Sequence, residues 1–172
     1  MKHKISILYS WFIKSIMFFF PDYPLFMRLR GFFYSFMMAE CGKNFQISHS
    51  ATLNSLAGLK FGKNVYIAYN TVFIGINISV DDNVIIGPNA LISGSNHSFD
   101  GDSFRNNPSI QSEVKISEGS WVGGNTSITA GSTLPGKSIL ASGSVLTRKY
   151  ISNNTIYGGV PAKPLKKINE SS

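Results

Sequence analysis

The second half of the chain carries an apolar residue at every sixth position. Six such residues follow one another without a gap: Ile116, Val122, Ile128, Leu134, Leu140 and Leu146. A period of six fits neither an amphipathic helix, which repeats every 3.6 residues, nor an alternating strand, which repeats every two. It fits short strands that are separated by corners and stacked into a β-helix. The sequence therefore predicts an all-β, parallel β-helix whose prism is filled by these aliphatic residues.

The positions that follow each aliphatic residue fit the corners of such a prism. The fourth residue after it is small in five of six units: Ser120, Thr126, Ser132, Ser138 and Ser144, with Tyr150 in the sixth. The third residue after it is glycine, asparagine or lysine: Gly119, Asn125, Gly131, Lys137, Gly143 and Lys149. Glycine and asparagine tolerate the left-handed backbone of a tight corner. We therefore expect one corner in each six-residue unit.

The same spacing runs upstream, with two changes of register. It includes Ile47, Leu53 and Leu59, then Phe61, Ile67 and Phe73, then Val80, Ile86 and Ile92. The register shifts by two residues after Leu59 and by one residue after Phe73. Between Ile92 and Ile116 the pattern disappears, and residues 95–113 (SNHSFDGDSFRNNPSIQSE) are polar. We expect an extended loop here, outside the prism, and long loops in compact domains are commonly functional.

The charge of the chain is concentrated at its two ends. The net charge of +7 divides into +4 for residues 1–43, −1 for residues 44–147 and +4 for residues 148–172. A nucleic-acid surface would instead place bases along one continuous patch, so we expect no nucleic-acid partner. The single cysteine, Cys41, cannot form an internal disulfide and therefore favours a cytoplasmic location. These features predict two separate anionic partners at the two ends.

The amino-terminal stretch is strongly apolar. Residues 5–20 (ISILYSWFIKSIMFFF) are shorter than the ~20 residues of a spanning helix, and the stretch lacks the small-residue cleavage site of a signal peptide. Two interpretations stay open: a helix lying in an anionic membrane interface, or a helix packed on the body. We divide the chain into a helical segment 1–43, a β-helix 44–157 with its loop at 95–113, and a basic tail 158–172. In that tail Gly158 and Gly159 predict a flexible exit, followed by a stiff, extended segment.

Several motifs resemble those of the hexapeptide-repeat acyltransferases, in particular the maltose, galactoside and surface-polysaccharide O-acetyltransferases. The matching pieces are Asn96-His97, Asp100, Val114-Lys115-Ile116, Trp121-Val122-Gly123-Gly124 and Gly159-Val160-Pro161-Ala162-Lys163. The resemblance implies a left-handed β-helix that assembles as a homotrimer with its active sites between subunits. It also implies acetyl-CoA as the cosubstrate and a saccharide as the acceptor.

Transfer of an acetyl group from a thioester to a hydroxyl needs a base that removes the hydroxyl proton. Histidine titrates near neutral pH and suits this task, and His97 lies in the polar loop where the resemblance implies the catalytic base. His3 and His49 have no such setting. The resemblance implies acceptor-binding positions at Asn70, Asn77, Asn96 and Asp100. For Asn96 and Asp100 a role in shaping the turn stays open.

The resemblance also implies where coenzyme A would bind. Trp121 would flank the pantetheine arm, and the backbone of Gly124 and Ser142 would face it. Thr147 and Arg148 match positions near the nucleotide, and Lys163 and Lys166 match bases that meet the phosphorylated ribose. Each glycine or serine is equally interpretable as a corner of the prism, and the lysines as a solvated tail.

We therefore predict an acetyl-CoA-dependent O-acetyltransferase that acts on a surface polysaccharide or its precursor. Its expected location is the cytoplasm, peripheral on the inner face of the inner membrane. One alternative is an N-acetyltransferase of an amino sugar nucleotide, and another is a non-catalytic structural β-helix. A zinc hydratase on this fold would need three zinc-binding histidines, whereas one of the three here, His3, lies outside the repeat, so we expect no metal.

Overall fold

The computed structural model describes residues 2–168 and consists of two helices followed by nineteen short strands. The helices are α1 (Lys2–Met17) and α2 (Pro24–Ser35). The first nine strands are β1 (Glu40–Cys41), β2 (Gln46–Ile47), β3 (Thr52–Leu53), β4 (Leu59–Phe61), β5 (Tyr66–Ile67), β6 (Val72–Ile74), β7 (Ile78–Val80), β8 (Ile85–Ile86) and β9 (Leu91–Ser93). The others are β10 (Ser95–His97), β11 (Ser109–Gln111), β12 (Val114–Ile116), β13 (Trp121–Val122), β14 (Ser127–Ile128), β15 (Thr133–Leu134), β16 (Ile139–Leu140), β17 (Val145–Leu146), β18 (Thr155–Gly159) and β19 (Ala162–Lys167).

The strands form three parallel sheets that make the sides of a prism. Sheet A has the order β1-β4-β7-β12-β15, sheet B ends in β16-β13-β8-β5-β2, and sheet C is β17-β14-β9-β6-β3. The chain visits A, B and C in turn, so each circuit adds one strand to every sheet, and each coil donates its backbone N–H groups to the coil beside it. The structure is the parallel β-helix that the six-residue pattern predicted, of the left-handed kind that the resemblance implied.

The six-residue pattern describes the core of the prism. All fifteen aliphatic and aromatic residues that define it, from Ile47 to Leu146, are at most 2% exposed. The small corner residues are buried as well, and four of their five hydroxyls donate to backbone carbonyls, as from Ser120 to Pro135 at 2.7 Å. Gly119, Asn125, Gly131, Lys137 and Gly143 all have positive φ, which confirms the predicted corners. Tyr150 breaks the pattern because it stacks on Tyr157, with ring centroids 4.5 Å apart, where the prism ends.

The changes of register follow from coils of unequal length. In sheet B the successive partners are Gln46, Tyr66, Ile85, Trp121, Ile139 and Ile156, so the coils contain 20, 19, 36, 18 and 17 residues. The first two coils place their extra residues at the corner between sheets C and A, where Leu56 turns inward and is fully buried. The coil of 36 residues holds twice the regular eighteen, because residues 95–112 leave the prism.

Helix α1 covers the open edge of sheet C with its polar face. The Ser10 hydroxyl donates to the carbonyl of Leu53, and the Lys14 ammonium donates to the Thr52 hydroxyl. The Ser6 hydroxyl lies 3.1 Å from that of Ser55. Since β3 is the outermost strand of sheet C, these contacts satisfy edge groups that would otherwise lack partners. Ile13 and Met17 are buried on this same face of α1, whereas most of its other large apolar side chains point away from the protein.

Helix α2 covers the open edge of sheet B through one buried arginine. Arg30 is 1% exposed and donates to the carbonyl of Ile47 in β2, with Phe20 accepting a second bond at 3.1 Å. Its guanidinium also lies 3.3 Å from the carboxylate of Asp22. Gly31 lets the helix approach this closely, because a Cβ there would lie 2.2 Å from the carbonyl oxygen of Phe45. Both helices thus close the first end of the prism.

The carboxyl end differs from the predicted flexible tail. Gly158 and Gly159 belong to strand β18, and the chain then turns back so that β19 pairs antiparallel with β18 in sheet B. The Tyr150 hydroxyl donates to the carbonyl of Ala162 at 2.6 Å and holds this hairpin on the prism. The extended conformation predicted for the lysine-bearing segment is present, but as a paired strand. Residues 169–172 lie outside the described part.

The segment boundaries shift accordingly. The first strand of the prism, β1, begins at Glu40 rather than at residue 44, and sheet B continues to Lys167 rather than ending at residue 157. Among residues 2–168 neither helix combines the length and the apolar character needed to cross a membrane.

Candidate active site

The polar loop leaves the prism as a β-hairpin at the edge between sheets C and A. Strands β10 and β11 pair antiparallel, with Ser95 opposite Gln111 and His97 opposite Ser109. Gly94 begins the excursion, and a Cβ at this position would lie 2.2 Å from the carbonyl oxygen of Ile76 on the preceding coil. The hairpin therefore leaves in close contact with the coil beneath it, which fixes the direction in which His97 projects.

His97 lines a cavity of about 450 Å³ between this hairpin and the preceding coils. One wall is formed by the hairpin residues Ser95, Ser109 and Gln111, and the floor by Ile74, Gly75 and Ile76. His3 and Asn54 complete the lining. The cavity thus combines two exposed histidines, His97 and His3, with amide and hydroxyl side chains and a short apolar floor.

Strand alternation explains which hairpin residues face this cavity. Ser95, His97, Ser109 and Gln111 occupy one face of the ladder, whereas Asn96 and its partner Ile110 occupy the other. Asn96, a predicted acceptor residue, therefore lies on the opposite face of the hairpin from His97, because side chains alternate along a strand. Our sequence interpretation missed Ser95, Ser109 and Gln111. The sequence signal for these residues is the alternation within 95–97 (SNH) and 109–111 (SIQ), which indicates a shared face only once the two stretches are known to pair.

Gln111 fixes the base of the hairpin. Its side-chain oxygen accepts a hydrogen bond from the N–H of Ile76 at 3.4 Å, and its amide nitrogen donates to the hydroxyl of Ser109 at 3.0 Å. These bonds connect the hairpin to the coil below it and order the residue opposite His97. Gln111 is therefore a positioning residue of the cavity wall.

Asp100 lies at the tip of the hairpin and stabilises its turn. Its carboxylate accepts the N–H groups of Ser103 at 2.8 Å and Asp102 at 3.0 Å. These bonds, together with one from Asn107, hold the pKa of the carboxyl below its ordinary value. Of the two roles left open for Asp100, the structure shows the turn-forming one.

Asn70 and Asn77 lie at corners with left-handed backbone, at φ of 55° and 61°. Asn77 is at the edge between sheets C and A, where its carbonyl accepts the N–H of Val114 as the chain re-enters the prism. Asn70 is at the edge between sheets B and C, where its N–H donates to the hydroxyl of Ser50. Within one chain Asn77 therefore shares the edge of His97, and Asn70 does not.

The predicted coenzyme A residues also fall on more than one side of the prism. Trp121 is 49% exposed on the outer surface of sheet B, and Gly124 and Ser142 follow at the edge between sheets B and C. Thr147 and Arg148 come after β17, at the edge between sheets C and A. Lys163 and Lys166 are exposed on β19, at the end of sheet B. Sheet C separates His97 from Gly124 and Ser142, so a single chain does not bring these residues together.

A larger cavity of about 590 Å³ lies between α2 and the first coil. Its only thiol is Cys41, and burial raises the pKa of this thiol to about 11. A thiol with that pKa is almost fully protonated at neutral pH and is a poor nucleophile. We therefore place the candidate active site at His97 and not at the larger cavity.

No cluster of three or more histidine, cysteine, aspartate or glutamate side chains suited to a metal ion occurs among residues 2–168.

Comparison with known proteins gives one curated relative and two solved structures of direct interest. The galactoside O-acetyltransferase of Escherichia coli is 26% identical over 135 residues, which are 78% of this chain and 66% of that protein. The chain thus spans slightly less than two thirds of the relative. The maltose O-acetyltransferase structure from Clostridium difficile is 25% identical, with a TM-score of 0.84 over 97% of this chain and 88% of that one.

A hexapeptide-repeat acetyltransferase of Vibrio cholerae, solved with acetyl-CoA, has the same fold: 22% identity and a TM-score of 0.77 over 97% of this chain and 89% of that one. No protein-family model matches the sequence. The six-residue repeat, the stacked coils and these likenesses agree with one another. The chain is therefore similar to the hexapeptide-repeat acetyltransferases, in particular to the galactoside and maltose O-acetyltransferases.

Proposed function

We propose that this protein transfers the acetyl group of acetyl-CoA to a hydroxyl of a saccharide, with His97 as general base. The observation that carries the proposal is the exposed His97 on a paired hairpin, in a cavity that it shares with His3 and with amide and hydroxyl side chains. The imidazole removes the hydroxyl proton while the oxygen attacks the thioester carbon. The C–S bond then breaks, and the departing sulfur takes the proton back from the imidazolium. Such a base contributes ~10²–10⁴-fold to the rate.

The lining of the cavity suits a sugar. Asn54, Ser95, Ser109 and Gln111 offer amide and hydroxyl groups that both donate and accept, as sugar hydroxyls require. Ile74 and Ile76 provide an apolar surface for the C–H face of a ring. The galactoside and maltose acetyltransferases that this chain resembles support this assignment by their names.

We infer that the active enzyme is a homotrimer with active sites between subunits. The supporting observation is the separation, within one chain, of His97 at one edge of the prism from Trp121 on sheet B. A threefold assembly would place the hairpin of one subunit against sheet B of its neighbour, and rings of this kind close symmetrically. Trp121, Gly124 and Ser142 of one subunit would then line the coenzyme A groove that the neighbour's His97 faces, and Lys163 and Lys166 would meet its phosphates.

Mixed trimers test the shared site and the reaction together. His97→Ala and Trp121→Ala subunits should each be nearly inactive alone, measured as transfer of labelled acetyl from acetyl-CoA to methyl β-galactoside. Unfolding and reassembling them together at equal amounts should restore up to about a quarter of the parental activity, since a site is intact when two adjacent subunits supply complementary residues. Mixing folded proteins without reassembly is the control and should restore nothing. Absence of recovery in verified mixed trimers would place both residues in the same subunit's site.

We further propose that the outer face of the helices contacts an anionic membrane on its cytoplasmic side. Among residues 2–168, thirteen of the twenty-five large, exposed apolar side chains lie within residues 5–36. On α1 four of them form one outward stripe: Ile5, Leu8, Phe12 and Ile16. Lys2, Lys4 and Arg28 are exposed on the same helices and complement anionic headgroups.

Replacing Leu8 and Phe12 by serine should weaken binding to phosphatidylglycerol-containing vesicles at least tenfold. Full burial of a side chain of this size in the membrane contributes about 1.5–3 kcal/mol to the binding free energy, and each serine substitution removes that contribution. Vesicle sedimentation measures the effect, and added salt should weaken the binding of the parent protein as well. Ile151→Ser is the matched control, because Ile151 is 92% exposed but follows the last prism coil. Equal binding by the double variant and the parent would contradict the membrane contact.

A further inference from the structure

A third cavity, of about 560 Å³, runs along α1 beside the edge of sheet C. Most of its surface is apolar and comes from Ile7, Trp11, Phe18, Phe19 and Leu53. We call this cavity the α1 groove. It is distinct from the His97 cavity in composition, since it contains no histidine and no carboxylate among its lining residues.

The polar groups of the α1 groove are already engaged by the protein. Ser10 donates to the carbonyl of Leu53, and Lys14 donates to Thr52 and, at 3.4 Å, to the carbonyl of Ser50. Burial lowers the pKa of Lys14, in keeping with its inward position. What the groove leaves free for a ligand is therefore hydrocarbon and aromatic surface, apart from the amide of Asn54 at its junction with the His97 cavity.

The two cavities are neighbours. Asn54 lines both of them, and His3 at the start of α1 lines the His97 cavity while lying 2.7 Å (Nδ1 to Oγ) from Ser55 on the same corner. A ligand that occupies the His97 cavity with a sugar can thus continue past Asn54 into the α1 groove. The part of such a ligand beyond its sugar meets apolar surface only after it leaves the His97 cavity.

The charge of the His97 cavity favours one class of acceptor over another. Within one chain its lining contains no lysine or arginine, whereas recognition of a nucleotide diphosphate normally uses such cations. Lys2 and Lys4 are exposed at the beginning of α1, on the side of the proposed membrane contact. The arrangement suits an acceptor whose sugar is uncharged and whose other end is a hydrocarbon chain.

We propose that the acceptor is a lipid-linked saccharide whose hydrocarbon chain lies in the α1 groove while its sugar meets His97. The proposal rests on the proposed acetyl transfer at His97. The groove and the outward stripe of α1 then have related tasks: the stripe rests on the membrane, and the groove receives the chain of an acceptor drawn from it.

Alkyl β-galactosides of increasing chain length, used below their micellar concentrations and without vesicles, test the groove separately from the membrane. The KM for octyl β-galactoside should be at least tenfold lower than that for methyl β-galactoside, since each fully buried methylene is worth about fourfold. Ile7→Ser, in the groove, should reduce this ratio at least threefold. Ile16→Ser is the same substitution on the outer face of the same helix and should leave the ratio unchanged.

A binding measurement keeps the test independent of turnover. The chain has two tryptophans, so Trp121→Phe leaves Trp11 as the only indole, and a bromine-labelled octyl β-galactoside should quench it. Chain-independent KM values together with unquenched Trp11 would overturn the groove assignment. If Ile16→Ser reduced the ratio of KM values as much as Ile7→Ser, the outer face of α1 would account for the effect of chain length instead. If instead the proposed function is wrong, no galactoside will give a His97-dependent release of coenzyme A, whatever the quenching of Trp11 shows.

Discussion

Replacing His97 by alanine should lower the turnover of acetyl transfer at least about a hundredfold, while the fold and the assembly persist. His97 is exposed on the hairpin, outside the prism, so the substitution removes a base without opening a cavity in the core. Labelled acetyl-CoA and methyl β-galactoside provide the assay. The labelled product should be an ester that mild base cleaves, whereas an amide would support the N-acetyltransferase alternative.

Asn96→Ala is the matched control for this experiment. Asn96 precedes His97 on the same strand but lies on the opposite face of the hairpin. Its replacement should change turnover by no more than a few-fold, because it does not line the cavity. Full activity of His97→Ala would remove His97 from the mechanism. A loss as large in Asn96→Ala would show instead that the hairpin as a whole, and not the imidazole, limits turnover.

Replacing Arg30 by methionine should lower the free energy of unfolding by about 3 kcal/mol, the lower end of the range for breaking a buried ion pair. The lower end applies because Asp22 is 29% exposed whereas Arg30 is 1% exposed. The substitution also leaves the carbonyls of Ile47 and Phe20 without their donor. Denaturant unfolding at fixed protein concentration measures the loss. Arg28→Met, two residues earlier on the exposed side of α2, should change stability by less than about 0.5 kcal/mol.

The same cluster should make the parent protein sensitive to acid. Burial acts to raise the pKa of Asp22, but hydrogen bonds from Ser48 and from the backbone and side chain of His49, with the charge of His49, outweigh it and lower that pKa. A lowered pKa in the folded state means that the stabilisation is present at neutral pH and is lost as the pH falls below about 4. Asp22→Asn should therefore lose less stability than the parent between pH 5 and pH 3. Equal losses would show that the cluster does not contribute to the folding free energy.

The structure agrees best with the prediction from sequence where the six-residue pattern repeats. Each residue that defines the six-residue pattern, such as Leu134, is buried because one six-residue unit forms one side of the prism. This local geometry is visible in the sequence. The corner at Asn125 has the expected left-handed backbone for the same reason. The polar excursion at 95–113 was visible as an interruption of the pattern, and so was the position of His97.

Faces and partners could not be predicted in this way. Helix α1 is apolar in composition, yet Ser6, Ser10 and Lys14 face the protein beside Ile13 and Met17, because the edge of sheet C offers unpaired backbone groups. Asn96 and His97 are adjacent in sequence, but the pairing of β10 with β11 sends them to opposite faces. The return of β19 onto β18 likewise depends on a neighbouring strand rather than on Gly158 and Gly159 themselves.

The sequence alone therefore determined the prism, its corners and the excursion that carries His97, because these depend on residues six apart along one chain. The tertiary structure alone decided which side chains share the cavity, where the chain ends pack and that the α1 groove adjoins His97. Those features depend on hydrogen bonds between segments as distant as Ser10 and Leu53 or Ile76 and Gln111, and no local pattern encodes which distant backbone group a polar side chain will satisfy.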